Sequence, residues 1–162
     1  VELRVVAFDH PDAQELTEQV QQEYVVRYGG TDATPMRSAE FAPPLGLFLV
    51  GYLDGRPVGC GGWRTVSAQE PVLRDGDAEL KRMYVAPTAR GHGHARRLLA
   101  ELERTAATAG LTRMVLETGI RQPEAISLYR SCDYAPISGF GLHKDAPGSR
   151  CFAKPLVVSM SA

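Results

Sequence analysis

What most limits the fold of this chain is a change of periodicity near residue 90. An apolar, strand-like run over residues 78–85 gives way to Arg90-Gly91-His92-Gly93-His94-Ala95, and Ala95, Leu98, Leu99, Leu102 and Ala106 then share one face at helical spacing. A strand joined through a glycine-rich turn to an amphipathic helix commits the chain to a domain in which sheet packs under helix. Small residues at 91, 93 and 95 let a ligand come close to the backbone, and the first turn of a helix presents unpaired N–H groups at the positive end of its dipole. Such a place suits a phosphate. Glycine before a helix also serves as plain turn geometry, so both readings stand at this point. A Walker-type loop is excluded because no lysine follows the glycines. His92 and His94 diverge as i and i+2 on a helix and have no acidic or cysteine partners beside them, so no metal is expected.

The rest of the chain surrounds this unit with more of the same alternation. Residues 1–8 read as a strand, and residues 11 to about 27 as a helix started by Pro11 and periodic in Leu16, Val20 and Tyr24. Residues 29–44 read as irregular, with one short helix over Ser38–Phe41. Residues 45–53 and 57–66 flank Asp54-Gly55, a two-residue hairpin signal. A loop over residues 67–77 leads to the strand at 78–85, and the helix is expected from 91 to about 109, capped by Gly110. A strand over 112–117, a helix from Pro123 and a final strand over 151–158 complete the order β-α-(α)-β-β-β-α-β-α-β-β, a mixed α/β single domain. A length of 162 residues asks for no second domain.

Charge and cysteine count narrow the partners. With 18 Lys plus Arg against 19 Asp plus Glu, the net charge of −1 gives no reason to expect nucleic acid or an anionic membrane. The acids are concentrated in residues 1–45, which carry eight against three bases, so the remainder is basic enough to suit an anionic ligand or simply to be solvated. Cys60, Cys132 and Cys151 have no metal-ligand spacing, and an odd number of thiols, together with the absence of a signal-peptide layout at Val1-Glu2-Leu3-Arg4, reads as cytoplasmic. The longest apolar run, residues 45–53, falls far short of the ~20 residues that cross a bilayer.

Residues 79–99 closely resemble the cofactor-binding segment of the GNAT superfamily of acetyl-CoA-dependent N-acetyltransferases. The signature Arg/Gln-x-x-Gly-x-Gly/Ala stands here as Arg90, Gly93 and Ala95. Residues 125–134 resemble the family's helix with a Leu-Tyr pair, here Leu128-Tyr129; Asp133 stands where a glycine is common, which predicts a differently shaped helix end. The resemblance implies a mostly antiparallel sheet with splayed central parallel strands and flanking helices. It implies that the backbone of Arg90, Gly91, His92, Gly93, His94 and Ala95 holds the pyrophosphate of acetyl-CoA, that Met83, Tyr84 and Val85 run beside its pantetheine arm, and that Arg96 or Arg97 adds charge for a phosphate, unless it is merely solvated.

Acyl transfer to an amine needs the neutral nucleophile, and a lysine-like amine is neutral only about one part in 2,500 at pH 7, a deficit of roughly 4.6 kcal/mol. A base is therefore useful, and the resemblance implies Glu79, acting through a water; the alternative is a partner for a nearby arginine. Tyr129 matches the family's tyrosine that protonates the leaving thiolate; the alternative is a core tyrosine with a satisfied hydroxyl. Cys132 as an acyl-carrying nucleophile is set aside because it shares a helix face with Ala125 and Leu128 and has no histidine nearby in sequence, so direct transfer in a ternary complex is expected. Trp63, Arg27 and Tyr28 resemble positions that build the acceptor pocket, with core packing or surface placement as the alternative for each. The expected acceptor is a small primary amine, with a protein N-terminus or lysine as the second reading and a non-catalytic acetyl-CoA sensor as the third; a homodimer is compatible with all of them.

Overall fold

A computed structural model describes residues 1–68 and 72–157. The elements are β1 (Glu2–Val5), α1 (Pro11–Tyr28), a short 3₁₀ turn (Ser38–Phe41), β2 (Gly46–Leu53), β3 (Arg56–Thr65), β4 (Asp77–Val85), a second 3₁₀ turn (Pro87–Ala89), α2 (His94–Thr108), β5 (Arg113–Gly119), α3 (Pro123–Ser131), β6 (Ala135–Ile137) and β7 (Ser149–Pro155). The first strand is shorter than expected because the chain turns at its end, His10 N–H donating to the Ala7 carbonyl at 2.9 Å. α2 begins three residues later than expected, since Gly91 and Gly93 have φ of +84° and +79° and do not continue a right-handed helix. The last strand stops at Pro155; Val158, at its expected end, lies outside the described residues. The hairpin turn is as the Asp54-Gly55 pair predicts, both residues having positive φ.

The seven strands lie in the order β1-β2-β3-β4-β5-β7-β6, so the last strand in sequence sits inside the sheet and β6 takes the edge. All neighbours are antiparallel except β4 and β5. That one parallel pair is short: Asp77 faces Arg113, Ala78 faces Met114 and Glu79 faces Val115, after which the strands part. Their junction is braced by an ion pair inside the protein. Arg113 Nε and Nη2 donate to the two oxygens of the Asp77 carboxylate at 2.8 and 2.7 Å, and Asp77 is 0% exposed.

Alternation along the strands sends apolar side chains to both faces. Ala78, Leu80, Met114 and Leu116 pack under Leu98, Leu99 and Leu102 of α2, while Phe48, Val50, Cys60 and Tyr84 pack under Leu16 and Val20 of α1. Each of the leucines, valines, methionines and phenylalanines among them contributes about 1.5–3 kcal/mol when fully removed from water. α2 ends as Gly110 predicts, with Leu111 N–H reaching back to the Ala106 carbonyl at 3.0 Å. α3 ends in the same way although Asp133 replaces the glycine: it takes φ of +72°, and Tyr134 N–H reaches the Tyr129 carbonyl at 3.0 Å. The differently shaped end expected there is absent, because Asp tolerates the left-handed region better than most side chains. Among the described residues no helix is long and apolar enough to cross a membrane.

Candidate active site

The turn before α2 is built from backbone. Arg97 N–H is the first in the helix to find a helical acceptor, the Gly93 carbonyl at 3.2 Å, and no side chain caps the amides before it. Nothing lies within 4 Å of a Cβ built at Gly91 or Gly93, so both open onto solvent, and His92 is exposed as they are. This loop fits an anionic group: free donors, a dipole end, and no side chain in the way. The His94 pKa is lowered first by burial, then by the charges of the chain's N-terminal amine, His92 and Arg97. Arg90 itself turns back, its Nε donating to the Val85 carbonyl at 2.8 Å and its Nη2 to Glu23 at 2.6 Å, so its side chain fixes the turn. Arg96 likewise spans to α3, donating to Ser131 Oγ at 2.6 Å and to the Cys132 sulfur at 3.4 Å.

β4 carries a bulge next to this loop. Cys60 pairs with Tyr84 and Gly62 with Lys81, so Gly61 stands opposite both Arg82 and Met83. Arg82 takes φ of +59° there. The extra residue shifts the alternation: Lys81 and Arg82 both point to the α1 face, while Met83 and Val85 pack with the α2 core and Tyr84 with α1. In an unbroken strand Arg82 would be driven into the leucines of α2.

The β4–β5 pairing ends at Glu79. Tyr129, 7% exposed, rises from α3 among the α2-face core residues with its ring edge-on to Tyr134 at 5.6 Å. Its phenol is pushed well above the ordinary value, by burial first and then by Tyr24, a residue of α1 on the opposite face. Tyr24 is itself pushed up to about 12, chiefly by burial. Two phenols from opposite sides of the sheet thus come within electrostatic reach of one another. Glu79, 8% exposed, lies where the strands part and accepts from Arg64 Nε at 3.0 Å, so the arginine partner expected as its alternative is present. Cys132 is half-buried.

A cavity of about 460 Å³ lies between the end of α1, β5 and the segment before β7. Tyr24, Tyr28, Asp32, Glu117 and His143 line it. Tyr28 lines this cavity, its hydroxyl pressed against Gly119. Arg27 is not in the wall: it donates to the Arg121 carbonyl at 2.7 Å while Arg121 donates to the Arg27 carbonyl at 2.9 Å, a clasp between α1 and the start of α3. Trp63 is 2% exposed in the core with Nε1 donating to Thr105 Oγ1 at 3.0 Å, which is the packing alternative rather than a pocket position. Glu117, missed in the sequence, is half-buried at the cavity with no ion pair among the described residues. Its carboxyl is raised above the ordinary value, first by burial, with Asp32 and Glu79 adding to the rise against the opposing pull of His143 and Lys81. The only sequence signal for it was a lone acid in an apolar strand.

Comparison with known proteins gives a matching frame. The family model described as the acetyltransferase (GNAT) family matches residues 13–134. An "IAA acetyltransferase" of Azospirillum brasilense is 42% identical over 109 residues, 67% of each chain. Among solved structures, an acyl-CoA N-acyltransferase assignment from Klebsiella pneumoniae is 28% identical with a TM-score of 0.76, covering 96% of this chain and 97% of that one. The PaiA N-acetyltransferase of Thermoplasma acidophilum, solved in complex with coenzyme A, shares the fold at a TM-score of 0.68 and 14% identity, over 96% of this chain and 99% of that one.

Proposed function

The chain belongs to the GNAT acetyltransferase family, using acetyl-CoA as donor, and we propose that it transfers the acetyl group directly to the primary amine of a small molecule held in the cavity beside β5. The observation that carries this reading is Glu117, a half-buried carboxylate with a raised pKa and no ion pair among the described residues, in the wall of the cavity beside β5. A base poised nearer to neutral pH takes a proton from an ammonium more readily than an ordinary carboxylate does. In this proposal the proton acceptor expected at Glu79 becomes Glu117, because Glu79 is engaged by Arg64. Glu79 then acts through its charge, which helps to raise Glu117.

Acetyl-CoA supplies an acyl group already activated as a thioester. The amides from Gly91 to Arg96 would hold its pyrophosphate, with Met83, Tyr84 and Val85 beside the pantetheine arm. Tyr129, kept protonated by burial, donates its proton to the departing sulfur. Tyr28 and Tyr24 offer aromatic faces to a cationic acceptor. The cavity's limited volume supports a small acceptor over a protein surface.

An acetyl-CoA consumption assay across small amines and short peptides tests the reading. Small amines are expected to turn over, and peptides that outpace every small amine would overturn the choice. With an acceptor in hand, Glu117→Gln is expected to lower kcat/KM by about 10²-fold to 10⁴-fold and to recover partly at high pH, where more amine is already neutral. Tyr129→Phe is expected to lower kcat with unchanged acetyl-CoA affinity and no recovery at high pH. Near-normal kcat in a well-folded Tyr129→Phe protein would remove the acid.

A further inference from the structure

Asp32, on the irregular segment after α1, is the meeting point of four parts of the chain. Its Oδ2 accepts from Arg82 Nη1 at 2.6 Å and from Lys81 Nζ at 3.0 Å, both on the bulge of β4. Its Oδ1 accepts from Thr34 N–H at 3.0 Å and Thr34 Oγ1 at 2.7 Å, and lies 3.4 Å from His143 Nε2 on the segment between β6 and β7. Its backbone is tied to α1, with Asp32 N–H donating to Gln21 Oε1 at 2.8 Å and Gln21 Nε2 donating to the Asp32 carbonyl at 3.1 Å. Burial opposes its ionisation, but Lys81 and the hydrogen bonds from Thr34 and Arg82 outweigh this and hold its carboxyl well below the usual carboxylate range.

The partners explain why one carboxylate is placed here. Arg82 is 5% exposed in a left-handed conformation that a non-glycine residue leaves readily unless its side chain is held, and Asp32 is the carboxylate that holds it. His143, Ala146 and Gly148 line one wall of the cavity, and Gly30 to Asp32 line another. Neither segment belongs to a regular element, and each depends on local contacts for its position. We infer that Asp32 is a positioning residue for acetyl transfer, a fixed anion that locks the β4 bulge and docks both irregular walls of the acceptor cavity onto it.

Rearrangement of Asp32 would therefore move the backbone of Met83, next to the bulge, and the walls that hold the amine in one step. The inference rests on the cavity being the acceptor site, and hydrogen exchange separates the two. In Asp32→Asn, amides of residues 29–36 and 138–148 are expected to exchange about tenfold faster or more, with α2 unchanged. In His143→Gln, which leaves the Arg82 contact in place, only residues 138–148 are expected to loosen. With an amine that the wild type acetylates, Asp32→Asn should raise the acceptor KM and lower kcat, whereas His143→Gln should raise the KM alone. Arg82→Gly, whose glycine accepts the left-handed backbone, should retain more kcat than Arg82→Ala. Unchanged exchange in both segments, in either Asp32→Asn or His143→Gln, overturns the inference, as does a lowered melting temperature in Asp32→Asn with kcat and KM intact. If the wild type turns over no amine, the acceptor reading fails while the exchange measurement still decides the role of Asp32.

Discussion

The turn before α2 and the cavity beside β5 are made of different material. On one side the turn from Arg90 to Ala95 presents backbone amides at the start of α2, a site written in six consecutive residues. On the other, the cavity is walled by side chains from α1, the segment after it, β5 and the segment before β7, brought together only by folding. A backbone site can accept the same phosphate in many chains because every residue carries an amide. A side-chain site can be rebuilt for a new acceptor without disturbing it. Variants that hit the apex, the cofactor side and the acceptor side should therefore separate cleanly.

The apex should give the largest effect. Asp77→Ala leaves Arg113 buried with the Val72 carbonyl as its remaining side-chain partner among the described residues, and removing one member of a buried pair typically costs about 3–5 kcal/mol. Chemical denaturation is expected to show that loss, and acetyl-CoA binding should weaken together with turnover because both sides hang from the same junction. A loss below about 1 kcal/mol would mean that the sheet, rather than the pair, holds the gap.

The cofactor side comes next. Acetyl-CoA at a hundredfold excess over its dissociation constant is expected to stabilise the wild type by about 2.7 kcal/mol. Gly93→Val should abolish that shift, because a β-branched residue at φ of +79° distorts the turn and its side chain enters the space left open above the amides. Its own stability also drops, so the ligand-induced shift is the measurement that counts. Glu117→Gln, on the acceptor side, should keep the shift in full. A Gly93→Val protein that still gains stability from acetyl-CoA would reduce the loop to a turn and dissolve the contrast.

The sequence was most readable where structure follows local rules. Gly91 and Gly93 announced the turn, Leu98, Leu99 and Leu102 the buried face of α2, and Asp54-Gly55 the hairpin, because turn chemistry and periodicity act over a few residues. Trp63 was left open between pocket and core because the glycines before it in β3 give no sign of which face its side chain takes. The positive φ of Arg82 was hidden, since an arginine gives no sequence hint of it; the side chain is held by Asp32, fifty residues earlier. Glu117, Asp32 and His143 were silent for the same reason: each is an ordinary polar residue until tertiary contacts give it neighbours. Tyr129 was named from its helix, but the approach of Tyr24 across the sheet needed the gap to be seen.

The smallest expected effect bears on the same contrast, since a carboxylate kept half-buried without an ion pair among the described residues should cost the fold something that a backbone site does not. Glu117 has a pKa raised above its ordinary value of 4.5. The folded protein therefore holds this proton to higher pH than the unfolded chain does, and stability falls as pH rises through that window. Below the unfolded value both states are protonated and the cost vanishes; above the folded value it is fully present. Glu117→Gln, neutral at every pH, should thus melt about 2 °C higher than the wild type near pH 8. The difference should close as the pH is lowered toward the ordinary carboxylate range. An activity loss accompanied by a lower melting temperature at every pH would instead mark Glu117 as a packing residue, and would leave the acceptor side without its base.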